Sequence, residues 1–185
     1  VVGVTAGAYK FLGRGAVGDF GRLRWPAPGT WFDAHVHAYG CAALPSWIDD
    51  ELWEVELVEP RAVNGVLLAT RARLLRRLLA WNKEAARAFT LGCLVSIRAA
   101  AAASTAPDGD AFVADAVDLA FGGRPEGNGT QPAPATAPGA GAVAANLGFV
   151  ASHAAGCLGG DYERGFAAER DRQREWLRTR LGLET

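Results

Sequence analysis

From Glu51 to Val58 the side chains of Trp53, Val55 and Leu57 alternate with those of Glu54 and Glu56. A two-residue period of this kind suits a β-strand with one dry face and one wet face. Beyond Asn82, an N-capping residue, the period changes, and Ala85, Phe89, Cys93 and Ile97 recur at helical spacing. Strands followed by helices, in that order, define an α+β fold. The expected architecture is a small antiparallel sheet in the N-terminal half packed on Ala-rich helices, followed by a C-terminal helical hairpin.

Short strands are expected at Tyr9–Leu12 and Trp31–Ala38, the second entered through the turn Pro26-Ala27-Pro28-Gly29. Leu44–Ile48 reads as a helical turn, with Pro45 in the tolerated first position. Val66–Leu79 fits either a helical stripe or one or two strands; strand is the reading taken here. Helices are expected from Asn82 into the alanine tract and ending by Pro107, and at Asp110–Phe121, with Phe112, Val113, Ala116, Val117 and Ala120 as its apolar face and Gly122-Gly123 as its stop. Two more follow, at Val143–Leu158 and Asp161–Leu181, joined at Gly159-Gly160. Residues 124–141 are rich in Pro, Gly, Ala and Thr and read as a flexible linker. The expected division is an α+β domain over 1–123, the linker, and a helical hairpin over 142–185 that docks on the first domain.

At 185 residues the chain supports a real core but not eight strand–helix units. The net charge of -1 gives no sign of a nucleic-acid or membrane partner. Cys41, Cys93 and Cys157 are odd in number and widely spaced, which suits free thiols in a reducing cytoplasm and not a disulfide framework. No run approaches the ~18 apolar residues of a membrane span. The chain has no methionine and begins at Val1, which reads as a trimmed or fragmentary end.

Asp33-Ala34-His35-Val36-His37 has the Asp-x-His-x-His form of a strand in metal-dependent amidohydrolases, where two imidazoles on one strand face hold one metal. The likeness covers five residues, and His153 is the one other histidine. The candidate metal ligands are therefore Asp33, His35, His37, Cys41 and His153, with His153 and Cys157 one helical turn apart. The expected cofactor is none, with Zn as the alternative. Gly13-Arg14-Gly15-Ala16-Val17-Gly18 matches a dinucleotide glycine fingerprint by letter. Gly21 and Pro26-Ala27-Pro28 leave at most two turns for the helix such a turn must open, so a glycine-rich surface loop is expected. Asn128-Gly129-Thr130 is a glycosylation sequon by letter alone. Arg71, Arg73, Arg76 and Arg77 form a basic cluster, with Asp49, Asp50, Glu51, Glu54 and Glu56 as its expected counter-charges within the fold.

Lys10-Phe11-Leu12 with Gly15 to Phe20, Trp25-Pro26, Trp31, His37-Ala38, Leu44-Pro45-Ser46-Trp47 and Glu51-Leu52-Trp53-Glu54-Val55-Glu56-Leu57 resemble a group of uncharacterised bacterial proteins from GC-rich genomes. The likeness spans roughly residues 9 to 98 and returns around His153 and over Glu169 to Leu183. In that group the strand reads Gly-Val-His-Ala-Cys, so this chain has His35 in place of the glycine and Tyr39 in place of the cysteine. The resemblance implies an α+β domain and carries over no catalytic residue. It directs attention to His37, Trp47 and Trp53 as binding candidates.

The functional expectation is a soluble cytoplasmic protein with a binding or interaction role. One alternative is a metal-dependent hydrolase built on His35 and His37, with Asp33 or His153 assisting. Another is a scaffold that docks a protein partner through Tyr162, Phe166 and Trp176 of the last helix.

Overall fold

The computed structural model describes residues 7–17, 24–105, 109–121 and 139–183. It is an α+β chain with a small antiparallel sheet in the N-terminal half and a C-terminal helical hairpin. The strands are β1 (Tyr9–Leu12), β2 (Phe32–Tyr39), β3 (Glu51–Leu57), β4 (Arg61–Val63) and β5 (Val66–Arg77). A 3-10 helix, Cys41–Ser46, lies between β2 and β3. The helices are α1 (Lys83–Ala103), α2 (Gly109–Phe121), α3 (Ala140–Leu158) and α4 (Tyr162–Leu181). Gly18, Gly122-Gly123, the sequon and the linker tract through residue 138 lie outside the described residues.

Of the stretch with two possible readings, residues 66–79, Val66–Arg77 form a strand. β5 pairs with β4 across a tight turn at Asn64-Gly65, where both residues have positive φ, and continues alongside β3. It also pairs with β2. β1 pairs with β3 over Leu12↔Glu51 to Tyr9↔Glu54, and with β2 at Tyr9↔Tyr39, so the sheet closes on itself at a corner. One compact unit comprises residues 1–85 and 174–185; the other comprises residues 86–173, and α1 and α4 run through both boundaries.

The alternation expected for Glu51–Val58 is present. Val55 and Leu57 join Ala8, Leu12, Trp25, Val36, Ala38, Ala69, Ala72 and Leu74 in a buried apolar cluster, with Trp53 packed against it. Elsewhere in this unit Phe11 meets the edge of Trp81 at 5.2 Å, and the Trp81 indole N–H donates to the carbonyl of Asp49 at 2.8 Å. The basic cluster is neutralised along the strands. Asp33 pairs with Arg71, Glu56 with Arg73, Glu54 with Arg76 and Glu51 with Arg77. The first three are direct cross-strand partners. Gly13–Val17 closes as a turn through reciprocal backbone bonds, with Gly15 at φ +74°. It opens no helix within the described residues.

Asn82 caps α1 as expected, accepting from the backbone N–H groups of Glu84 and Ala85. By length and mean hydropathy (1.3 each), α1 and α3 are long and apolar enough to cross a bilayer. A count of uninterrupted apolar residues misses this because Arg, Thr, Gly and Ser punctuate α1, and Gly, Asn, Ser and His punctuate α3. A helix inside a protein core passes the same test, and half of the α3 window is buried within the fold.

The α3–α4 crossing depends on missing side chains. A Cβ at Gly165 would lie 2.2 Å from the carbonyl oxygen of Ala155, and one at Gly156 would lie 2.7 Å from Cδ2 of Tyr162. Gly165→Ala gains about 1 kcal/mol of helix propensity but forces the two backbones apart. We expect a net destabilisation of about 1–3 kcal/mol, measured by urea denaturation. A variant as stable as the native chain would refute the tight crossing.

Candidate functional site

In the first unit, β2 and β5 lie side by side with His37 opposite Leu68. The β2 side chains alternate, so Val36 and Ala38 enter the apolar cluster while His35 and His37 belong to the other face. There they line a groove of about 440 Å³. Its remaining walls are formed by Leu68 and Thr70 of β5, Arg61 of β4, and Val58 and Glu59 at the corner between β3 and β4. Glu59 holds a left-handed backbone, φ +47°, immediately before Pro60. A residue in that position is disfavoured there both by its Cβ and by the following proline ring.

Next to the groove His37 joins an aromatic group. Its ring lies 5.6 Å from Tyr39 and 5.8 Å from Trp47, and Tyr39 and Trp47 stack at 4.8 Å. Trp47 remains 38% exposed. Lys10 is buried; its ammonium donates to the carbonyl of His37 at 2.9 Å and lies 5.4 Å from the Tyr39 ring centroid. Two of the three binding candidates, His37 and Trp47, are therefore brought together. Trp53 packs against the apolar cluster instead, with its indole N–H donating to Glu51 at 3.1 Å.

The candidate metal ligands are differently placed. Asp33 is engaged with Arg71 at 3.2 Å. Cys41 is buried on the 3-10 helix, where burial raises its thiol pKa against the opposing pull of Arg174 and Arg178. His153 sits on α3 in the other compact unit. Among the described residues, no three His, Cys, Asp or Glu side chains form a group able to hold a metal ion.

In the second unit the polar side chains form two clusters. The buried one centres on Gln173, whose amide donates to the carbonyl of Gly148 (2.8 Å), the Ser152 hydroxyl (3.2 Å) and Glu169 (3.0 Å), and accepts from Arg170 (3.0 Å). Arg172 grips Glu169 through two bonds, at 2.7 and 2.8 Å. Each of these groups is used within the helices, which makes the cluster a structural core. Beside it Cys93 is fully buried, and desolvation, reinforced by Glu169, pushes its thiol up to about 12 despite Arg172.

The other cluster is more exposed. His153 is surrounded by Phe112, Phe149 and Tyr162, with ring centroids 5.6 to 6.0 Å away. Phe166 continues the group, and Phe149 and Tyr162 are 53% and 45% exposed. Sequence reading singled out Tyr162, Phe166 and His153 but missed Phe149, since an aromatic residue within an Ala-rich helix carries no periodic signal of its own. Glu59, Arg61 and Thr70 were missed as well, because strand closure brings them to His35 and no local motif marks them.

No family model, curated protein or solved structure matches the chain.

The Cys93 environment has a consequence for stability. An unfolded thiol ionises near its ordinary value of 9.0, whereas the folded one stays protonated up to about 12. Its contribution is thus complete below pH 9 and is lost as the pH rises from there toward 12. Denaturation measured from about pH 8 to about pH 11 should show native stability falling more steeply than that of Cys93→Ala, by at most about 1.4 kcal/mol per pH unit. Parallel slopes would refute the assignment.

Proposed function

We propose that this protein acts by binding, and that the groove on the outer face of β2 and β5 takes a small ligand bearing an anionic group. The observation that carries this reading is the contrast between the arginines of the sheet. Arg71, Arg73, Arg76 and Arg77 are each held by a carboxylate, whereas Arg61, among the described residues, has no ion-pair partner and lines the groove beside His35 and His37. A guanidinium with imidazoles beside it favours carboxylate- or phosphate-bearing molecules. The exposed Leu68 side chain supplies apolar contact, and Glu59 offers an acceptor to a donor on the ligand. The volume falls within the usual range of small-molecule sites. By the family resemblance, His37 is the shared position and His35 the departure, so specificity from His35 would belong to this chain.

The Phe149, Tyr162 and Phe166 cluster supports a second reading, a protein partner docking on the second unit. Trp176 lies beyond that unit's boundary, in the portion of α4 that belongs with the sheet.

The groove reading is tested by titrating isotope-labelled protein with inorganic phosphate, acetate and a dicarboxylate while following backbone amides by NMR. Shifts should concentrate at Leu68, Thr70 and Arg61 for at least one probe, and Arg61→Ala should weaken that binding about 10-fold or more. Shifts spread over the surface, or an Arg61→Ala variant that binds equally well, would overturn it.

A further inference from the structure

Cys157 and His153 are four residues apart on α3, so one helical turn brings thiol and imidazole together. The Cys157 sulfur lies 3.7 Å from Nε2 of His153. The other ring nitrogen is also engaged, since the Tyr162 hydroxyl at the start of α4 sits 3.1 Å from Nδ1. That approach requires a glycine at 156, where any Cβ would collide with the Tyr162 ring. Phe149 stacks on the imidazole at an interplanar angle of 8°, and Phe112 and Tyr162 flank it. The imidazole is thus held in orientation between a hydroxyl and a thiol.

This is the arrangement of a base-assisted nucleophile: a thiol, a base within reach of it, and a third group that orients the base. When Nδ1–H donates to the Tyr162 oxygen, the lone pair of Nε2 faces the sulfur. The other two cysteines provide an internal contrast. Cys41 and Cys93 are buried and their thiols are held protonated by burial, whereas Cys157 is exposed.

We propose that Cys157 is a nucleophilic thiol with His153 as its base and Tyr162 as a positioning residue, and that it undergoes exchange with low-molecular-weight disulfides. The Cys157 thiol passes its proton to Nε2 of His153, and the thiolate attacks one sulfur of R–S–S–R. A new disulfide forms to Cys157, the old S–S bond breaks, and the departing RS⁻ takes the proton back from the imidazolium. No net electrons enter or leave, and the Cys157 side chain ends as a mixed disulfide that a second thiol can reverse. This site is independent of the groove on the sheet, so either proposal can fail alone.

The experiment exposes the native full chain to oxidised glutathione and follows adducts by peptide mass spectrometry. Modification should fall on Cys157 ahead of Cys41 and Cys93, and faster than on Cys157 in the denatured chain. His153→Gln should slow it on the order of 10-fold or more, and Tyr162→Phe, which keeps the ring but removes the hydroxyl, should slow it less. Added imidazole should restore rate to His153→Ala, which a purely structural loss would not allow. If His153→Gln proves misfolded by circular dichroism, Tyr162→Phe and the comparison with denatured chain decide. Equal rates in native and denatured protein, rates insensitive to His153, or prior modification of Cys41 or Cys93 would overturn the proposal.

Discussion

The structure of the first unit depends on β5 pairing along both of its edges. Over its 12 residues it bonds to β2 on one side and to β4 and then β3 on the other. A strand this long can serve three partners only by bending. The pairing shifts register between Glu54 and Val55 on β3, and again between Asp33 and Val36 on β2. Such irregularities sharpen twist and let a short sheet curl. The curl brings β2 to β1, encloses the small residues Ala8, Ala38, Ala69 and Ala72 with the larger ones, and turns His35 and His37 outward. The groove, its charge and its unusual corner at Glu59 all follow from that closure.

Two polar environments of opposite character result. On the sheet, carboxylate and guanidinium meet across strands on the wet face, where each exposed pair contributes little energy and mainly fixes register. Trp31 adds to this, with the Arg71 and Arg73 guanidinium carbons 4.9 and 4.5 Å from its ring. In the helices the polar groups are buried around Gln173, and each bond made there removes a desolvation cost. Small residues at Gly148 and Ser152 admit the amide, since a Cβ at 148 would come within 3.3 Å of its oxygen.

Sequence reading recovered what is written locally. The two-residue period at Glu51–Leu57, the cap at Asn82 and the helical spacing of Phe89, Cys93 and Ile97 each placed an element correctly. The strand at 66–77 was the weaker inference because its leucines suit two periods, and its irregular pairing explains why: both β5 faces change role along its length. β4 was missed, being three residues long. At the candidate sites, His37 with Trp47 and His153 with Cys157 were already visible as residues of interest. Their geometric partners Arg61, Glu59 and Phe112 come from elsewhere in the chain, joined by tertiary contact that a motif does not encode, whereas Phe149 lies one helical turn from His153 on α3 itself.

Among the described residues, β4 pairs with β5 alone, leaving its far edge without a strand. That edge is short, starts just after Pro60 and carries Arg61 at its head. Proline offers no N–H to an incoming chain, and a cation at the border resists apolar stacking. The edge is consequently a poor template for edge-to-edge growth, and concentrated solutions of the protein are protected at this point from assembling through extended β-structure.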